Sequence, residues 1–355
     1  MSKEEHMRRY GSSRRLPAEW EEQDGVLLVW PHAATDWAPY LDLVERVYVQ
    51  AAVYISRFER VVVIVPEQGD TESLSRKLIQ AGAIIERVRI FAIEANDTWV
   101  RDFGPITVME NGSPVLLDFG FNGWGLKYPA HLDNLVTRRL CAQGAFREPA
   151  PTTVGLILEG GSIESDGAGT LLTTASCLLS PNRNAHLSRP EIEAALAGLL
   201  GADRFLWLEN GYLAGDDTDS HIDTLARLCP RDTILHVECD DPSDEHYPAI
   251  RVMIEELKSF RTREGAPYRL IPLPWPAPHH DEDGHRLPAT YANFVVINGA
   301  VLVPAYGDEK DEAALKAVRQ AFPDRSVIGM DSSPLILQHG SLHCITMQLP
   351  KGALA

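Results

Sequence analysis

No two cysteines in this sequence form a CxxC pair. The five that occur (Cys141, Cys177, Cys229, Cys239 and Cys344) are odd in number. A zinc knuckle and a complete disulfide framework are therefore not expected, and at least one thiol stays free. Positive charge is also short, since 33 Lys and Arg face 50 Asp and Glu for a net charge of −17. Nucleic acid is excluded as a partner because its phosphates would be repelled. A cationic ligand gains from the same field, although the acidity equally serves solubility. Long apolar runs are absent too. The longest stretch, Phe294 to Tyr306, is interrupted by Asn298 and Gly299 and is too short to span a bilayer as a helix. The opening MSKEEHMRRYGSSRR is not followed by the apolar segment of a secretory signal. No Ser/Gly linker divides the chain. The expectation is one domain over residues 1–355, with 1–15 as a flexible tail, no membrane association and a cytoplasmic location.

Hydrophobic residues make up 45% and charged residues 23%, the composition of a protein with a large core. Apolar residues recur three and four apart over Tyr40–Phe58, Thr71–Ala81, Leu132–Gln143, Pro190–Leu200, Tyr247–Phe260 and Glu309–Phe322, which predicts six helices. Between them lie runs such as GVLLVW, RVVVIVP, GLILE, GTLLTT, TILHVE, NFVVI, AVLVPAY and CITMQL, bounded by Gly, Pro and Asp as strands are. The fold class is α/β. The last four helices start about 60 residues apart, a hint of a repeat. A strand, helix, strand set from Gly25 to Val65 supplies a fifth unit, with the Thr71 helix inserted after it. Such units can close into a ring, but an open doubly wound sheet fits the pattern equally well.

Ionisable residues gather beside glycine and tryptophan in four places: NDTWVRDFGP (Asn96–Pro105), LEGGSIESDG (Leu158–Gly167), GDDTDSHIDT (Gly215–Thr224) and HGSLHCITMQ (His339–Gln348). Read as an extended strand, the third puts Asp219, His221 and Asp223 on one face. The bland alternative is an exposed acidic strand or loop. A metal reading lacks HExxH spacing and a cysteine pair. In the fourth, His343 and Cys344 point to opposite faces of a strand, so His343 is not expected to be the base for Cys344. A free cysteine on an apolar strand is ordinarily a small buried hydrophobe, and that reading is kept for the other four. Nucleophilic cysteine chemistry needs a thiolate, a proton carrier and a means of fixing the electrophile. Several aspartates suit a planar guanidinium, which carboxylates grip in bidentate fashion.

These residues resemble the agmatine deiminases and the bacterial peptidylarginine deiminases similar to them, within the guanidine-modifying enzymes. The likeness runs from about Pro17 to Pro350. Its markers are ND-x-W-x-RD-x-GP at Asn96–Pro105, FN-x-WG at Phe121–Gly125, EGG with a later DG at Glu159–Gly167, D-x-H-x-D at Asp219–Asp223 and HC-x-T at His343–Thr346. The resemblance implies a five-bladed α/β propeller, the pentein fold, with a substrate channel along its pseudo-fivefold axis, and it suggests a homodimer. It further implies Cys344 as nucleophile, His221 as general acid and base, Asp97 and Asp223 as the carboxylates that grip the guanidinium, and Glu159 as the group orienting His221, with no cofactor and no metal. The implied reaction converts agmatine and water to N-carbamoylputrescine and ammonia through a covalent cysteine intermediate, a step of putrescine biosynthesis. The sequence departs from the commonest form at Gln338, His339, Gly340 and Ser341, where a glycine run is usual, and a differently shaped loop is expected there.

Trp124 is read either as a stacking partner of the substrate or as a core aromatic, Trp99 as core, and Arg101 with Asp102 as a structural ion pair. Asp216 and Asp217 are candidates to receive the far ammonium of agmatine. The stretch from Asp102 to Lys127 holds no arginine for an α-carboxylate. Two rival readings remain, an arginine or peptidylarginine deiminase yielding citrulline and a non-catalytic polyamine-binding protein. The latter has no need of Cys344.

Overall fold

The computed structural model describes residues 14–147 and 150–355. Five sheets share one internal pattern, in which two antiparallel strands are followed by a helix and a third strand parallel to the second. The first such sheet is Ile106–Glu110, Ser113–Gly120 and Thr152–Ile157, with helix Val136–Ala142 before the third strand. The second is Ile163–Ser165, Thr170–Thr174 and Arg204–Leu208, with helix Arg189–Leu200. The third is Ala226–Cys229, Thr233–Glu238 and Arg269–Pro274, with helix Tyr247–Ser259. The fourth is Val295–Ile297, Ala300–Ala305 and Ser326–Asp331, with helix Asp311–Ala321. The fifth joins the two ends of the chain. Its strand Met347–Pro350 runs antiparallel to Gln23–Val29, which pairs in parallel with Arg60–Val65 after helix Leu41–Ser56. Helix Thr71–Ala81 and strand Val88–Ala92 extend that sheet by one parallel strand. The α/β class read from periodicity therefore holds, and the 60-residue spacing corresponds to one sheet and its helix.

Local chemistry explains where the elements begin and end. Val61–Val65 are all buried, as a parallel strand covered on both faces requires. Helix Thr71–Ala81 starts where Asp70 accepts the Ser73 N–H at 2.8 Å and stops at Gly82 with φ 92°. Helix Arg189–Leu200 opens with a capping box between Ser188 and Glu191 and closes on Gly201 with φ 70°. The helix expected over Leu132–Gln143 is shortened. Its first turn is a 3-10 turn, Asp133–Leu135, because Asp133 accepts the Asn96 and Asp97 N–H groups at 2.7 and 3.3 Å, which ties this turn to the first motif.

Two expectations about extended segments are overturned. Asp219–Asp223 is not a strand: Asp219 and Ser220 have φ 64° and 68°, and Ile222–Thr224 is a 3-10 turn. The cause is local capture of the backbone by side chains. Asp216 accepts from the Thr218 N–H, the Thr218 hydroxyl and the Ser220 N–H, while Thr218 Oγ1 accepts the His221 N–H. The last strand begins only at Met347, and His343–Thr346 form a turn. At the other end, Arg14 and Arg15, expected in a flexible tail, pair antiparallel with Glu110 and Met109. Residues 1–13 of that tail lie outside the described residues. Among the described residues no helix is long and apolar enough to cross a membrane.

Candidate active site

Five connections lead from one sheet to the next, and every one brings polar side chains to the same place. They are residues 93–105, 158–162, 209–225, 288–294 and 332–346. Asp102 Oδ1 on the first accepts the Gly161 N–H of the second at 3.0 Å and lies 3.6 Å from His221 Nδ1 of the third. Asn293 on the fourth accepts the N–H groups of His343 and Cys344 on the fifth, at 2.9 and 3.3 Å, and the Cys344 thiol at 3.4 Å. Cys344 O in turn accepts the Arg101 N–H at 3.2 Å, closing the circuit. Gly161 shows how tight the junction is. A Cβ there would meet His221 Nδ1 at 2.6 Å, Asp102 Oδ1 at 2.9 Å and Asp223 Oδ2 at 3.0 Å, so only glycine fits.

A cavity opens above this junction, lined by Asp36, Asp97, Trp99, Asp102, Trp124, Tyr128, Asp216, Asp217, Thr218, His221, Thr224, Gln338, His339, Gly340 and Cys344. Among the described residues its lining holds five aspartates and neither arginine nor lysine. Glu159 and Asp223, both wholly buried, stand behind that lining. Glu159 Oε2 is 3.8 Å from His221 Nε2, and Arg183 Nε donates to both Glu159 oxygens at 3.0 and 2.8 Å. Asp223 Oδ2 accepts from His343 Nδ1 at 2.7 Å, whereas its Oδ1 is buried without a hydrogen bond. Both His221 ring nitrogens and Asn293 Nδ2 are likewise buried and unbonded. Unbonded buried polar atoms occur elsewhere in the fold, for instance Thr107 Oγ1 and Thr170 Oγ1, but here four of them gather beside the cavity.

Burial and neighbouring charges set the protonation states. Burial pushes the Cys344 thiol well up, and the Asp223 and Asp102 carboxylates push it further, so the resting group is a thiol. Burial alone would lower His221, but Asp102 and the Cys177 and Glu159 side outweigh it and hold the imidazole well above its usual range, as an imidazolium. Burial raises Asp97 to about 6 despite the Thr98 N–H, with Asp36 adding to the rise. Burial works against ionisation of Asp223 and Glu159 as well, but His343 holds the first low and His221 with Arg183 hold the second low.

The sequence profile of the Porphyromonas-type peptidyl-arginine deiminases matches residues 15–350. The chain belongs to that family. An agmatine deiminase of Pseudomonas syringae pv. tomato is 33% identical over 94% of this chain and 95% of its own length. A Porphyromonas gingivalis protein solved as a candidate arginine deiminase is 50% identical, with a TM-score of 0.90 over 96% of this chain and 100% of its own. A substrate-bound Cys-to-Ser variant of the C. jejuni agmatine deiminase is 41% identical, with a TM-score of 0.88 over 96% and 97%. This chain is thus a hydrolase of the deiminase type acting on guanidino groups.

Within this family member, several expected placements change. Asp219 does not share a face with His221 and Asp223. It turns outward to Lys127 Nζ at 2.8 Å and Arg183 Nη1 at 2.6 Å. Arg101 and Asp102 form no ion pair among the described residues. Arg101 donates to His343 O, Thr346 Oγ1 and Gln348, which frees Asp102 to line the cavity and accept from Trp124 Nε1 at 2.9 Å. Trp124 is therefore held by its ring nitrogen, with φ 54°, and both it and Trp99 face the cavity. Asp216 is occupied in shaping its own loop, and Asp217 accepts from the Tyr128 hydroxyl at 2.8 Å. At the departure from the usual glycine run, His339 Nδ1 donates to Gly215 O at 2.8 Å and Gln338 Nε2 donates to Asp36 O at 3.2 Å. That loop thus bridges two other walls of the cavity.

Asn293 and Arg183 are site residues that the sequence leaves unmarked, while Asp102 reads there as half of a structural ion pair and His343 as not the base for Cys344. Asp102 stands in the quoted RD-x-GP motif and was legible there. Asn293, in the apolar run TYANFVVI, carries no signal at all.

Proposed function

We propose that the protein is an agmatine deiminase, with Cys344 as nucleophile, His221 as acid and base, and Asp97, Asp102 and Asp223 holding the guanidinium. The observation that carries the choice of substrate is the cavity lining, which among the described residues holds five aspartates and no arginine or lysine. A guanidinium at one end and an ammonium at the other both find carboxylates, whereas the α-carboxylate of arginine finds none. Lys127 and Arg183 near the cavity are committed, the first to Asp219 and the second to Glu159 and Asp219. The five repeated sheets, with the last strand beside Gln23–Val29, support closure into a five-bladed α/β propeller whose axis runs through the site.

The chemistry follows from the protonation states. An entering guanidinium offsets Asp102 and Asp223, the two charges that keep Cys344 protonated, and the thiol gives its proton to solvent. The sulfur lone pair forms the S–C bond to the guanidinium carbon. His221 as imidazolium gives its proton to one amino group, and the C–N bond breaks with its electrons on departing ammonia. The neutral imidazole then takes a proton from water, whose oxygen adds to the same carbon. The C–S bond breaks with its pair returning to Cys344, which regains a proton from solvent as the product leaves, and the hydroxyl proton is given up to the released ammonia, which becomes ammonium. Guanidinium and water have become a ureido group and ammonium.

Turnover of agmatine, free arginine and a peptidylarginine, each followed by product mass and ammonia release, tests this reading. Agmatine is expected to have a kcat/KM at least about tenfold above the others, roughly 1.4 kcal/mol in transition-state stabilisation. Equal or better use of arginine or peptidylarginine would move the substrate to the citrulline-forming class and leave the cysteine chemistry in place.

A further inference from the structure

Behind His221, on the side away from the cavity, lies a group of atoms that the deimination chemistry only partly uses. One ring nitrogen of His221, one Glu159 carboxylate oxygen and Cys177 Sγ all lie within 4.8 Å of one another. The Cys177 thiol is 3.8 Å from Glu159 Oε2, and His221 Nε2 is 3.8 Å from the same oxygen. The three residues are 0 to 1% exposed. His221 Nε2 has no hydrogen bond although it is sealed from water. Cys177 does not line the cavity and touches no reacting atom of the proposed reaction.

We propose that these three atoms form an inhibitory site for a soft divalent cation of the zinc type. A thiolate, an imidazole and a carboxylate are the ligand set that zinc and cobalt favour, at about 2.0–2.3 Å from the metal. Tetrahedral geometry at those radii puts ligand atoms roughly 3.3–3.8 Å apart, so the two separations to Glu159 Oε2 contract by at most about 0.5 Å and the His221–Cys177 separation, below 4.8 Å, enters that range with at most about 1 Å of contraction. Charge balances as well. The cation takes the Cys177 proton and the imidazolium proton out to solvent, leaving one thiolate and one carboxylate against two positive charges. Arg183 keeps its contact with the other Glu159 oxygen and remains opposite Asp219. A metal so placed takes the Nε2 lone pair of His221, so the ring keeps one proton on Nδ1 and can no longer cycle between imidazolium and imidazole, which halts its acid and base role without touching Cys344. Because it competes with protons at two ligands, it binds more tightly as pH rises.

Metal binding and inhibition separate in the test. Cobalt(II) is titrated into the intact protein and into Cys344→Ser, Cys177→Ser and Cys177→Ala, and the thiolate-to-cobalt absorbance is read. Wild type and Cys344→Ser are expected to show the band at one equivalent. Both Cys177 variants are expected to lose it, with affinity at least about tenfold weaker. Zinc should inhibit the wild type, more strongly at higher pH, while Cys177→Ala, measured against its own zinc-free turnover, becomes at least about tenfold less sensitive. A band lost in Cys344→Ser and kept in the Cys177 variants would put the metal on the nucleophile and overturn the site, as would no band in any form. The inhibition half rests on the role proposed for His221 and the cobalt titration does not, so loss of either reading can be told apart.

Discussion

Two clusters of buried charge flank the His343–Cys344 turn, and they are built in opposite ways. On the rear side Arg227 donates to Glu19 and Glu164, to Ala292 O at 3.1 Å and to Phe294 O, with its guanidinium over the Phe294 ring at 4.4 Å. Glu164 also accepts the Leu228 N–H at 3.1 Å, Glu19 accepts the Val296 N–H at 2.7 Å, and His343 Nε2 lies 3.0 Å from Glu19. Every member has its partners. On the cavity side His221, Asp223 Oδ1 and Asn293 Nδ2 are equally buried and lack hydrogen bonds. The rear cluster therefore holds the framework, while the cavity side carries an electrostatic cost that a cationic ligand relieves.

The sharpest way to break that contrast is Cys344→Ser. It is expected to lower turnover roughly 10⁴-fold, about 5.4 kcal/mol, with an unchanged melting curve, as read by ammonia release beside calorimetry. Arg227→Met should do the reverse. By stranding Glu19 and Glu164 it is expected to remove about 3–5 kcal/mol of stability, visible in the denaturant midpoint, while the folded fraction stays active.

The two sides also differ in how they respond to pH. Asp97, raised from 3.8 to about 6, binds its proton more tightly folded than unfolded, so stability is highest below 3.8 and falls as pH rises towards 6. The loss is on the order of 2 kcal/mol after allowing for its partial exposure. Asp97→Asn should abolish that slope and raise the melting temperature of the ligand-free protein at pH 7, while impairing catalysis. Glu19 has the opposite sign. Burial would raise it, but His343 and Arg227 hold it far down, so its contribution is present above 4.5 and lost only in acid. A smaller effect is expected of Asp102→Asn, about 10- to 100-fold in kcat/KM, or 1.4–2.7 kcal/mol, with stability kept or raised. Smallest is Asp217→Ala, which should narrow the preference for agmatine over arginine by roughly threefold to tenfold, because its carboxylate already shares the Tyr128 hydroxyl.

Local patterns carried the sequence reading as far as local forces reach. Helix Thr71–Ala81 was legible to the residue, because its apolar spacing, its Asp70 cap and its Gly82 stop are all encoded within it. The four polar clusters were legible as clusters because glycine, tryptophan and carboxylates are costly to place together without use. The shape of each was not. Asp219–Asp223 reads as alternation, and only the hydrogen bonds of Asp216 and Thr218 turn it into a bend that sends Asp219 to Arg183 and delivers His221 and Asp223 inward.

The sequence by itself determined the α/β class, the repeat spacing, the acidic field and the thiol and imidazole available for chemistry, since composition and periodicity act through neighbours along the chain. Tertiary structure alone decided which aspartate faces the cavity. Arg101 is drawn to the His343–Gln348 segment some 240 residues away and so leaves Asp102 unpaired by it. It also chose Asn293, a residue unmarked in the sequence, to fix the Cys344 backbone. Both outcomes follow from five connections converging on one point, and no local pattern can encode which side chains from distant connections will share the same few ångströms.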